Sequence, residues 1–177
     1  MDMIQLEQCI NEYGKEIYSF CCQITRNRQE AEDLYQDTFL KALELGEKIH
    51  YEKNPKSYFI SIALRIWKNR KRKYAWRKRI VGMVEFVEEA VSEEDLGREA
   101  STEDIVIEKE LREQVKMVVE RLDEKYRIPV YLFYTLQFPI EQIGKIMKLP
   151  KGTVKSRLHK ARKLLKQELE VVLDETK

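Results

Sequence analysis

The chain has 177 residues, 43% of them hydrophobic, and 33 Lys or Arg almost balance 31 Asp or Glu for a formal net charge of +2. That is material for one ordinary domain or two small ones with packed cores. No apolar run approaches a membrane span and no charged-then-apolar leader opens the chain, so membrane insertion is not expected and a cytoplasmic protein is. The three cysteines (Cys9, Cys21 and Cys22) are odd in number, no Cys-x-x-Cys occurs, and His50 and His159 are far apart, so neither a metal, a cofactor nor a disulfide framework is expected.

Four prolines, six glycines and few β-branched runs point to an all-α protein. Ile10, Tyr13, Ile17, Phe20, Cys21 and Ile24 predict an amphipathic helix over 6–25. Asn27 followed by Glu30 resembles a capping box, so a second helix should start there. Its buried side would carry Ala31, Leu34, Tyr35, Thr38, Phe39, Ala42 and Leu43, ending near Gly46. A loop over 47–54 closes on the turn signal Asn54-Pro55.

A third helix runs from about Lys56, with Tyr58, Phe59, Ile62, Ala63, Ile66 and Trp67 as apolar members. It enters a block, Arg65 to Arg79, holding nine Lys or Arg and no acid, with Tyr74 and Trp76 interleaved. Aromatics among cations suit single-stranded DNA, where rings stack on unpaired bases and cations follow the backbone. From Gly82 to Asp104 the balance reverses to nine acids and one Arg, which reads as a solvated connector, with Glu85–Asp104 expected to be more mobile than either domain. Ile107, Leu111, Val115, Val118, Val119 and Leu122 then form a helical stripe, and a further helix is predicted over 126–136. Two domains, 1–81 and 105–177, joined by an acidic linker over 82–104, are the expected organisation.

The segment 138–165 reads as two short helices about a tight turn. Pro139 opens the first, with Ile140, Ile143 and Met147 at helical spacing, and Leu149-Pro150-Lys151-Gly152 breaks the run. In the second, Val154, Leu158, Ala161 and Leu165 make one stripe, while Lys151, Lys155, Ser156, Arg157, His159, Lys160, Arg162 and Lys163 fill the other faces with no acid before Gln167. An ordinary solvated face mixes Glu with Lys for i,i+4 support. Unopposed cations point instead to phosphates, and the pattern to a helix-turn-helix with its second helix in a major groove.

Two motifs carry a family resemblance. Glu30-Ala31-Glu32-Asp33-Leu34-Tyr35-Gln36-Asp37-Thr38-Phe39-Leu40-Lys41-Ala42 looks like the core-polymerase-binding helix of bacterial sigma factors of the extracytoplasmic-function group. Tyr126-Arg127-Ile128-Pro129-Val130-Tyr131-Leu132, with Ile140-Glu141-Gln142-Ile143-Gly144 and Gly152–Arg162, is similar to that family's upstream-promoter-reading domain. The resemblance implies an initiation factor that binds core RNA polymerase and directs it to promoters in a stress or envelope response. It also implies control by an anti-sigma factor, commonly membrane-bound.

On the first motif, Glu32, Asp33, Gln36, Asp37, Phe39 and Leu40 are then the expected polymerase contacts. Downstream promoter DNA, duplex and single-stranded, would meet Tyr51, Asn54, Lys56, Asn69, Arg70, Arg72, Lys73 and Trp76, with a flipped base taken in the loop near His50–Ser57. Upstream duplex would meet Lys151, Thr153, Lys155, Ser156, Arg157, His159, Lys160 and Arg162. The chain departs from the family where Leu64-Arg65 stands in place of the common Arg-Asn. A regulator binding duplex without joining polymerase is the alternative, and the Glu30–Ala42 motif speaks against it. No nucleophile–base arrangement or phosphate-cradling Gly-rich loop stands out, so an enzyme is not expected.

Overall fold

The computed structural model describes residues 3–45, 54–81 and 104–175, and the chain divides into two compact units, Met1–Val91 and Ser92–Lys177. Every regular element among the described residues is helical, as the composition requires. Tyr51 and the acidic connector over 82–103 lie outside the described residues.

The first unit is three helices: α1 (Met3–Thr25), α2 (Arg28–Leu45) and α3 (Pro55–Val81). Helix α1 buries Leu6, Cys9, Ile17, Phe20, Cys21 and Ile24; Ile10, expected on that stripe, faces solvent. Arg26 takes a left-handed conformation at φ 57°, and its N–H bonds Cys22 O at 2.9 Å, which reverses the chain. Asn27 then caps α2, its Oδ1 accepting from Glu30 N–H at 2.9 Å.

Aromatic rings tie the three helices together. Tyr18 of α1 meets Tyr35 edge-on at 5.6 Å, Tyr35 meets Phe39 at 4.9 Å, and Phe39 meets Phe59 of α3 at 4.8 Å. Such pairs contribute about 0.5–1.5 kcal/mol each beyond area burial. Helix α3 packs against both α1 and α2, so its buried face is wide: Phe59, Ile60, Ile62, Ala63 and Leu64 are all buried. Ile60 and Leu64 escape a one-stripe reading for that reason. Beyond Arg70 the helix leaves its core, and every residue from Lys71 to Ile80 is exposed.

The second unit comprises α4 (Asp104–Arg121), α5 (Glu124–Val130), a π-helical turn (Tyr131–Thr135), α6 (Ile140–Met147) and α7 (Lys151–Glu175). Of the stripe expected on α4, Val118 and Leu122 are buried, Val119 is half-buried and Val115 is exposed. Arg127, only 4% exposed, donates from Nη1 to Glu120 O at 3.5 Å, placing a cation at the C-terminal end of α4, where the helix dipole favours it. The single helix expected over 126–136 is two pieces. Pro129 has no N–H for Lys125 O, and the next turn widens so that Leu136 N–H bonds Tyr131 O, five residues back.

Pro139 serves as the cap residue of α6 in an extended conformation, one position earlier than expected. The turn into α7 is made by Lys148, not by glycine: its φ is 56°, and Leu149 N–H bonds Gly144 O at 2.9 Å across it. Gly152 lies inside the first turn of α7, with open space where a Cβ would stand. Gly144 has the opposite role, since a Cβ there would sit 2.9 Å from the Leu149 carbonyl oxygen. Helix α7 seats Val154, Leu158 and Ala161 in the core, with Leu165 half-buried.

Gly144→Ala is expected to destabilise the second unit by about 1–3 kcal/mol, because backbone must shift to admit the methyl. Gly152→Ala, with nothing to collide with, should leave stability unchanged or raise it by up to about 1 kcal/mol. Thermal unfolding of the two variants checks the contrast; equal losses would contradict the assigned roles. Lys148→Gly should stabilise by about 1 kcal/mol through relief at positive φ, read in the same way.

Candidate nucleic-acid and polymerase interfaces

The anchor of α7 fixes which side chains can meet a ligand. With Val154, Leu158 and Ala161 inward, Lys155, Ser156, His159, Lys160 and Arg162 are exposed, while Thr153 and Arg157 are half-buried on one flank. Several are held in place. Ser156 Oγ donates to Thr153 O at 3.0 Å and Arg162 Nε to Leu158 O at 3.3 Å. The ammonium of Lys151 pairs with the carboxylate of Glu141 at the start of α6. That bond, with the charge of Lys155 beyond it, holds the Glu141 carboxyl below the usual carboxylate range.

Beside this face lies a cleft of about 340 Å³ lined by Phe133, Tyr134, Ile140, Lys155, Leu158, His159 and Arg162. Phe133 and Tyr134 were not anticipated as site residues. The π turn carries them, the rings meeting edge-on at 5.0 Å, and Tyr134 is exposed. A proline inside a helical pattern was the available signal.

In the first unit, the exposed end of α3 carries Asn69, Arg72, Lys73 and Trp76, the indole 64% exposed. Arg72 Nη2 donates to Asn69 Oδ1 at 3.3 Å, and Lys71 lies over the Trp67 ring at 5.7 Å. Other expected DNA contacts are engaged within the protein. Asn54 is the cap of α3, its Oδ1 accepting from Ser57 N–H at 3.0 Å, and Lys56 pairs with Glu16 at 3.2 Å. Leu64, at the departure from the family pattern, is 1% exposed and fills core, whereas Arg65 joins the exposed cations.

The outer face of α2 presents Asp33, Gln36, Asp37 and Leu40, the last 58% exposed, at spacings that align them along one side. Glu32 is half-buried and pairs with Arg28 at 3.2 Å. Phe39 corrects the expected contact set: it is 6% exposed between Tyr35 and Phe59, so it holds the helix to its neighbours and offers no surface. Arg70 bridges the two surfaces, its Nη2 donating to Asp37 Oδ2 at 2.5 Å.

Among the described residues no helix is long and apolar enough to cross a membrane, and no cluster of His, Cys, Asp or Glu could hold a metal ion. Cys9 and Cys21 are buried, and desolvation pushes the Cys21 thiol up to about 12, so it stays protonated at neutral pH.

Residues 9–77 match Sigma-70 region 2, and residues 112–165 match Sigma-70, region 4. The chain is 27% identical over 166 residues to the ECF RNA polymerase sigma factor SigW of Bacillus subtilis (strain 168), covering 90% of this chain and 86% of that one. RNA polymerase sigma factor SigV of the same organism is 27% identical over 164 residues, covering 93% and 90%. The fold is shared with the sigma factor RpoE of Bartonella quintana, solved with the anti-sigma factor NepR, at a TM-score of 0.75 and 23% identity over 94% of this chain and 98% of that one. It is shared also with CnrH, solved with the cytosolic domain of CnrY, at a TM-score of 0.65 and 15% identity over 96% and 90%.

Asn54→Ala should lower unfolding stability by about 1 kcal/mol, the usual worth of a cap. Trp76→Ala should leave stability unchanged and weaken single-stranded DNA binding by about 1–3 kcal/mol, the worth of one stacked base. Calorimetry alongside fluorescence titration with an oligonucleotide separates the two; an unfolding change at Trp76 would place it in the core instead.

Proposed function

The chain belongs to the extracytoplasmic-function group of the sigma-70 family, and we propose that three of its exposed surfaces divide that family's work. As a sigma factor it joins core RNA polymerase and gives it promoter choice; it is an initiation factor rather than a catalyst. The face of α2 built from Asp33, Gln36, Asp37 and Leu40 docks on polymerase, its acids supplying steering and register and Leu40 the apolar anchor. The exposed end of α3 engages the downstream element and the strand that opens, with Trp76 as a stacking platform. Helix α7 reads the upstream duplex, residues near its start reaching base edges and Lys160 and Arg162 clamping phosphates.

The observation that carries this reading is that each unit projects a helix with a long acid-free run of cations, Arg65–Arg79 in α3 and Lys151–Lys166 in α7, anchored by a separate apolar core. A regulator acting without polymerase would leave the match to region 2 without a use. A fold shared with a sigma factor solved beside an anti-sigma factor supports control of this chain by such a protein, in the cytoplasm where polymerase works.

Run-off transcription tests the assignment directly. Purified protein with core RNA polymerase should yield discrete transcripts from genomic promoter fragments that core alone does not, and their absence would sink the reading. Leu40→Ser, at a surface position, should weaken binding to core by about 1–2 kcal/mol without lowering the unfolding temperature. Arg157→Ala should cost about 1–3 kcal/mol on the preferred promoter and relax one base position; a uniform loss across promoter variants would assign Arg157 to phosphate alone.

A further inference from the structure

From Arg127 through Gln167 the chain carries ten Lys or Arg, Arg127 included, and a single acid, Glu141. The position of that acid is as informative as its rarity. It stands in the first turn of α6, and its carboxylate grips Lys151, the first residue of α7. Both side chains are more than half exposed, so the pair lies on the surface rather than inside the turn. The hydrogen bond from Lys151 holds the Glu141 carboxyl below the usual carboxylate range, so it carries its charge at neutral pH.

We infer that Glu141 is a specificity-determining residue of the α7 interface, lowering affinity for duplex of arbitrary sequence more than affinity for the correct promoter element. The inference rests on the reading of α7 as the upstream DNA contact. Binding to arbitrary duplex comes almost entirely from cations replacing counterions at phosphates. A lysine already paired with a carboxylate adds little to that exchange, and the carboxylate itself repels a phosphate brought close. Binding to the correct element adds contacts to base edges, which depend on side chains standing in fixed positions. Glu141 restrains the Lys151 ammonium at the end of the helix nearest the bases. One carboxylate thus subtracts from the sequence-independent part of binding and preserves the sequence-dependent part. An acid in a first turn also favours the helix dipole, but that role would act on stability and not on the choice between duplexes.

The test uses the full chain assembled with core RNA polymerase and two duplex probes, one of arbitrary sequence and one enriched from a random pool by the wild-type holoenzyme. Glu141→Gln should bind the arbitrary duplex about fivefold more tightly at about 0.15 M salt, with the slope of log K against log[salt] steeper by about 0.9, the signature of one further neutralised phosphate. The enriched duplex should gain less, so the ratio of the two affinities falls. Lys151→Gln should change the slope little in the wild-type background and reverse the gain in the Glu141→Gln background. An equal change on both probes, or an unchanged slope with only a lower unfolding temperature, would overturn the inference and leave Glu141 as a helix-start residue. A wild-type holoenzyme that enriches no sequence would overturn the promoter reading itself, and with it the role of Glu141; enrichment with an unchanged ratio overturns the role of Glu141 alone.

Discussion

Like charges along one helix repel, and a helix bearing them keeps its shape only where its apolar positions are buried elsewhere. This constraint organises both halves of the protein. In α7 the cations are carried by a stripe of Val154, Leu158 and Ala161, none with appreciable exposure. In α3 the anchor and the charge are separated along the axis instead of around it, with Phe59 to Leu64 wedged between α1 and α2 and the basic block continuing beyond. The two solutions present charge differently. A stripe-anchored helix offers one rigid cationic face, whereas an end-anchored helix offers cations and rings on all sides.

The helical class, the order of elements and the helix-turn-helix were legible because hydrophobic spacing and the punctuation of Pro and Gly are local properties. What escaped was set by tertiary context or by backbone chemistry that residue type signals poorly. Ile60 and Leu64 are core because α3 has two neighbours, a fact not written in α3 itself. Val115 and Ile10 fit their stripes by spacing and are nonetheless exposed. The turn before α7 points away from its obvious glycine: Lys148 adopts the left-handed conformation and Gly152 has already entered the helix, while Gly144 is required for the close approach of the Leu149 carbonyl.

For the candidate sites, residue type picked out exposed faces of α2, α3 and α7 but not the engagements of individual side chains. Asn54 and Lys56, expected at DNA, serve a helix cap and an ion pair with Glu16. Phe39 fits a contact motif and is consumed by aromatic packing. Arg70 and Asp37, which sequence assigns to different partners, meet each other at 2.5 Å. Phe133 and Tyr134 reach the flank of α7 because a widened turn follows Pro129, and no periodicity announces that displacement.

The ten residues from Lys71 to Ile80 are exposed all round, so their helix draws no stability from the core. A stretch of that length, holding many like charges, is marginal by itself in water. Neutralising those charges removes the repulsion that favours unwinding, so a polyanion held there, as the proposed role requires, would complete the helix as well as bind to it. Under that role the arm's order would track ionic strength and occupancy, and part of its attraction for a nucleic acid would go into finishing the helix.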